Sequence, residues 1–230
     1  MREMADTLYL SLWYPNLRLP ALAEKLTAVL GAFAQYGGEA RVYSATVWPV
    51  SWKETPIFQQ VYGRRVGQGD SDAVELGAEP ALAVEDALEL LHEDYAYEFQ
   101  IGWSLWEAEI EPARAFDDPQ PIRPLTGEEA EWTRQMRLVR VVGYGPLFDD
   151  GCYESEGHIR VEFGSDEAFL EEKVVLDSEV ARRVEENVRQ LVDLTTAIEE
   201  ESGATARLLW SELGESLAQR LATRLGVRNN

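Results

Sequence analysis

The longest regular signal in the chain is a two-residue alternation. From Tyr95 to Leu105 the side chains Tyr95, Tyr97, Phe99, Ile101, Trp103 and Leu105 alternate with Ala96, Glu98, Gln100, Gly102 and Ser104. Successive side chains of a strand point to opposite faces. This spacing therefore predicts a strand with one face on a core and a more polar opposite face. A shorter alternation sets Leu8, Leu10 and Leu12 against Tyr9, Ser11 and Trp13, and Pro15 ends it. Leu22, Leu26, Val29, Leu30 and Phe33 then recur at helical spacing between Pro20, which suits a helix N-terminus, and the stop Gly37-Gly38. Arg41 to Val50, rich in β-branched and aromatic residues, predicts the next strand.

Other stretches carry weaker patterns. Ile57, Phe58, Val61 and Tyr62 fit either a helical turn or a short strand, and Gly63, Gly67 and Gly69 mark a loop after them. Leu82, Leu88 and Leu91 suggest a helix from Pro80 to His92. Met136–Val142 and His158–Gly164 read as strands on either side of the turn-rich Asp149-Asp150-Gly151. The strongest helix signal runs from Ser178 to Ser202. Its stripe is Val180, Val184, Val188, Leu191, Thr195 and Ile198, with Asp177 or Ser178 as cap and Gly203 as stop. A short strand at Arg207–Trp210 and a last helix carrying Leu213, Leu217, Leu221 and Leu225 follow.

Helices interleave with hairpin-like strand neighbours, which predicts an α+β fold: mixed or mainly antiparallel sheet with helices packed on one face. The first half fits the ferredoxin-like order. Pro112, Pro119, Pro121 and Pro124 divide the chain into a region 1–110, a connection 111–127 and a region 128–230, which can share one sheet or core with the first.

Composition narrows the class of function. The chain has 230 residues, 45% of them hydrophobic, enough to build a core without staples. Cys152 is the single cysteine, which excludes an intrachain disulfide and suits a reducing, cytoplasmic setting. No apolar run approaches the roughly 20 residues of a membrane span. The 42 acidic residues outweigh 21 basic ones, for a net charge of −21. That balance argues against nucleic acid and anionic membranes as partners, and leaves a protein partner or self-association.

Candidate chemistry is sparse. His92 precedes Glu93 and Asp94 at a helix-to-strand junction. His158, Arg160 and Glu162 line one face of a strand at period two, with Asp149, Asp150, Glu154 and Glu156 upstream. Those carboxylates lack the spacing of a calcium loop, so no metal and no cofactor is expected. The acidic neighbours of Cys152 disfavour a thiolate. Gly67-Gln68-Gly69 lacks a dinucleotide fingerprint, and there is no serine elbow or P-loop. Seven tryptophans are many for this length. Trp13 and Trp106 fall on the faces opposite the apolar ones, where with Tyr9 and Tyr43 they are candidates for an aromatic binding surface. The expectation is a non-catalytic binding or regulatory protein acting through an acidic, aromatic surface. A small-molecule or hydrolytic enzyme using His158, Arg160 and Glu162 is the alternative, and a self-associating structural subunit the third.

Overall fold

The computed structural model describes residues 6–36, 41–62, 77–108, 132–170 and 178–211. Seven strands form one antiparallel sheet: β1 (Thr7–Trp13), β2 (Val42–Pro49), β3 (Phe58–Val61), β4 (Tyr95–Ala108), β5 (Trp132–Tyr144), β6 (Ile159–Ser165) and β7 (Ala206–Ser211), in the spatial order β3-β2-β4-β5-β6-β1-β7. The helices are α1 (Leu22–Tyr36), α2 (Pro80–Leu88), α3 (Cys152–Ser155), α4 (Glu167–Leu170) and α5 (Ser178–Ser202). The chain is α+β, as its alternating and helical periods predict.

The alternation of β4 decides which way the sheet faces. Phe99, Ile101, Trp103 and Leu105 are fully buried, and so are Leu8, Leu10 and Leu12 of β1, Val139 and Val141 of β5, and Ile159 and Val161 of β6. The pairings Phe99↔Val141 and Val141↔Val161 set these residues in one row across the sheet. Leu22, Leu26, Val29, Leu30 and Phe33 of α1 and Val188, Leu191, Leu194 and Ile198 of α5 complete this core from one side. Trp103 sits among Phe33, Phe163 and Phe169 at ring-centroid distances of 6.2, 5.3 and 5.8 Å.

β4 and β5 flank the proline-rich stretch and pair from Ala96↔Tyr144 to Ala108↔Trp132, so both regions of the chain contribute to one sheet. The ferredoxin-like order considered for the first half is not formed. It would seat β1 between β3 and β4, whereas β1 lies between β6 and β7. Periodicity tells a strand from a helix, but partner choice depends on matching rows of side chains. Here Leu10 and Leu12 of β1 meet Val161 and Ile159 of β6.

The ambiguous stretch around Phe58 is a strand, paired through Val47↔Phe58. Asp149-Asp150-Gly151 belongs to a 3-10 turn, Phe148–Gly151, that runs directly into α3. The proline-rich connection and the last helix expected from sequence lie outside the described residues. No helix among the described residues is long and apolar enough to cross a membrane.

Candidate functional site

The sheet face turned away from α1 and α5, the helix-free face, where among the described residues only the single turn of α3 rests at one end, carries most of the residues singled out from sequence. Arg160 and Glu162 both point there, yet they do not pair with each other. The Arg160 guanidinium bonds Glu156 and lies over the rings of Tyr9 and Tyr144, 5.4 and 5.9 Å from their centroids. Glu162 instead accepts from Arg140 of β5, opposite it in the register, at 3.1 Å. Arg140 also bonds Glu98 at 2.8 Å and stacks beneath Trp52 at 4.6 Å. Trp48 Nε1 donates to the same Glu98 at 3.1 Å. Arg140 is therefore the hub of this face. Burial works against its charge, and the carboxylates of Glu98 and Glu162 more than offset that, so its pKa lies above the ordinary value. The sequence held one signal for it, a cation set between the β-branched Val139 and Val141 of a strand.

His158 takes no part in that network. It precedes β6, and its ring is buried in a stack on Tyr153, 4.0 Å between centroids and 17° between planes. Nδ1 accepts the backbone N–H of Tyr14 at 3.1 Å. An imidazole nitrogen that accepts is unprotonated, so the ring proton sits on Nε2. Burial lowers the pKa of His158, against a smaller upward pull from Glu154. His92 is exposed and accepts the Asp94 N–H at 3.3 Å. Cys152 is half-buried, and burial together with Glu156 and Asp149 pushes its thiol up to about 11, the reverse of what a nucleophile requires.

Trp13 and Trp106 are not neighbours. Trp13 Nε1 donates to the carbonyl of Glu154 at 3.3 Å, in the row of the sheet that also holds Tyr144 and Ala96. Trp106 is ten residues further along β4 than Ala96, about 33 Å at the rise of a strand. The guanidinium groups of Arg134 and Arg183 lie 5.2 and 5.0 Å from the centroid of its indole ring, and its Nε1 donates to Glu186 at 2.8 Å. Tyr9 is buried against Trp210, with centroids 4.6 Å apart.

A group that sequence reasoning missed anchors the Trp106 end. Asn187 of α5 is fully buried. Its Oδ1 accepts from Trp106 N at 2.9 Å, and its Nδ2 donates to the carbonyls of Trp106 and Ala168 at 2.8 and 2.9 Å. β4 here outruns β2, and the helix amide satisfies backbone groups that a neighbouring strand would otherwise hold. The available signal was an amide three residues after Val184 and seven after Val180, on the same side of the helix.

The helix-free face has two unlike halves. Around Tyr144 it is covered. Ala96, Val142, Tyr144 and Phe148 form a small cluster, closed by Trp48, Trp52, Cys152 and Tyr153. Towards Gly102 it is bare. Met136 and Leu138, two residues apart on β5, are 57% and 52% exposed. The Tyr43 hydroxyl donates to Met136 Sδ at 3.3 Å. A Cβ on Gly102 would lie 2.9 Å from both Met136 Sδ and Tyr43 Cε2, so only glycine lets the two close over β4. A wide groove of about 810 Å³ adjoins this strip, with Ser104, Arg134, Glu186, Arg189 and Asp193 on its walls.

The arrangement offers apolar and ionic contact area. Arg140 is paired with Glu98 and Glu162, and Arg160 with Glu156. No group of three or more metal-ligating side chains occurs among the described residues. The chain matches no family model, no curated protein and no solved structure.

Proposed function

We propose that this is a non-catalytic binding or regulatory protein of the cytoplasm, whose contact surface is the bare half of the helix-free sheet face. The observation that carries this reading is the Met136–Leu138 strip. Two large apolar side chains stand more than half exposed side by side on a regular strand, with Tyr43 beside them. Contiguous exposed apolar surface rimmed by polar groups is characteristic of interaction sites. The separate pairing of Arg160 with Glu156 and of Glu162 with Arg140 supports binding over the hydrolytic alternative. Charge selects among partners. Two copies of a chain at −21 repel each other, whereas a basic protein is drawn in. The partner proposed is therefore a basic protein presenting apolar side chains to the strip.

The test is capture from a cell extract by three immobilised proteins at low and at physiological salt. These are the wild type, the double variant Met136→Asp/Leu138→Asp, and Leu82→Asp, which alters an equally exposed leucine on the helix side. The expected result is a basic protein held by the wild type and by Leu82→Asp, lost by the double variant and weakened by salt. Equal capture by all three removes the assignment of the surface. A wild-type dimer in sedimentation, dissolved by the double substitution, replaces the basic partner with a second copy.

A further inference from the structure

His158 lies where three pieces of the chain meet. Its N–H donates to the Leu12 carbonyl at 2.9 Å, its carbonyl accepts from Tyr144 N at 3.0 Å, and its ring accepts from Tyr14 N. Gly157 makes the approach possible. Its φ is +97°, and a Cβ there would lie 2.9 Å from Leu12 N. The ring therefore pins α3, through Tyr153, against the end of β1. The rest of what holds α3 is slight: Trp13 to the Glu154 carbonyl, and Tyr144 and Arg160 to Glu156. The turn before it is held independently, by Asp149 N on the Val50 carbonyl at 2.8 Å and by the fully buried Phe148 against Trp52.

We propose that His158 is an acid-sensitive latch: protonation of its imidazole releases α3 from the end of β1 while the helix-packed side of the sheet stays folded. A protonated Nδ1 becomes a donor and points at the Tyr14 N–H, another donor, so the one polar contact of the ring turns repulsive. The charged groups that face the ring are few. Glu154 on α3 favours the imidazolium, Lys25 of α1 lies over the Tyr14 ring at 5.9 Å, and Glu156 is already engaged by Arg160. The hydroxyl of Tyr14 is spent on Ser202 at 2.9 Å, and that of Tyr144 on Glu156. No carboxylate is placed to replace the lost hydrogen bond among these neighbours. The direction follows from linkage. Burial holds the folded pKa below the ordinary histidine value of about 6.5, so the contribution of the latch is complete above that value. It is lost as pH falls from about 6.5 towards the folded pKa. Release would uncover Tyr144 and Cys152, which now pack in the same small cluster.

The experiment follows hydrogen exchange of the Tyr14 and Phe99 amides from pH 7.5 to 5, corrected for intrinsic rates, together with trapping of Cys152 by a pyridyl disulfide. His158→Asn is the key variant, because its Oδ1 can accept the Tyr14 N–H and cannot be protonated. In the wild type, Tyr14 protection should fall by up to about tenfold per pH unit below about 6.5, the limit for one proton. Phe99 protection should hold, and trapping should accelerate although acid depletes the thiolate. His158→Asn should be flat in all three. Tyr14 protection unchanged with pH overturns the latch. So does Phe99 losing protection in step, which would mean global unfolding, and so does the same slope in His158→Asn. Should that variant not fold, the wild-type contrast between Tyr14 and Phe99 decides alone.

Discussion

The two faces of this sheet are built from the same strands by different means. On the helix side the strands present Leu, Ile, Val, Phe and Trp to α1 and α5, and stability comes from removing apolar area from water. On the other side Arg140 and Arg160 sit among Glu98, Glu156, Glu162 and five aromatic rings, Tyr9, Trp48, Trp52, Tyr144 and Phe148. Nondirectional packing tolerates no void, whereas a paired network tolerates the loss of a member as far as solvent can replace it. The faces should therefore differ in the size of the loss on substitution and in whether losses add.

The largest effect belongs to the helix side. Trp103 is fully buried among Phe33, Phe163 and Phe169, and its Nε1 donates to the Tyr36 carbonyl at 3.3 Å. Trp103→Ala should cost about 3–5 kcal/mol in denaturant unfolding, through lost transfer energy and the cavity left behind. A loss under about 1 kcal/mol would mean that the two faces are not distinct in kind.

Asn187 sharpens the contrast from within, because it is a polar group on the apolar side. Its side chain holds both backbone groups of Trp106 and the Ala168 carbonyl. Asn187→Ala leaves those groups without partners in a buried place, where each unsatisfied group costs about 1–3 kcal/mol before any water enters. Asn187→Asp should be nearly as damaging, because a carboxylate cannot donate to the two carbonyls. Urea midpoints of the two variants check this, and an Asp variant as stable as the wild type would mean that the donor half of the contact is dispensable.

The same contrast governs what sequence could reveal. The alternation in β4 and the stripe of α5 were legible because each repeats a single physical demand over many residues, and α5 spans the Ser178–Ser202 that its caps and stripe define. The row that joins β1 to β6 was not legible, since Leu8, Leu10 and Leu12 would pack equally well beside any apolar strand. The Phe148–Ser155 cap was hidden for another reason. Asp149 and Asp150 adopt φ of +42° and +30°, which the aspartates announced only as a turn. Of the candidate site, the faces of Arg160 and Glu162 follow from period two, but their partners lie on β5 and beyond the end of α3. The separation of Trp13 from Trp106 follows from register, which a single chain does not carry in its local pattern.

The smallest effects should appear on the helix-free face, where coupling rather than magnitude is informative. Arg140 has its side chain 27% exposed, with Glu98 at 14% and Glu162 at 28%, a setting between a surface pair and a buried one. Arg140→Ala should cost about 1–2 kcal/mol, above the roughly 0–1 of an exposed pair and below the 3–5 of breaking a fully buried one. Glu162→Ala should cost less, because Arg140 keeps Glu98. In a double-mutant cycle Arg140 and Glu162 share a hydrogen bond and should couple by about 0.5–1.5 kcal/mol. Arg160 and Glu162 lie on the same strand and face but hold different partners, so Arg160→Ala/Glu162→Ala should be additive to within about 0.5 kcal/mol. Spacing on β6 suggests the second pair, and contacts across the sheet select the first. Strong coupling between Arg160 and Glu162 with none between Arg140 and Glu162 would reverse that assignment. It would place the functional polarity of this face along one strand, and return the His158, Arg160 and Glu162 grouping to consideration as a single site.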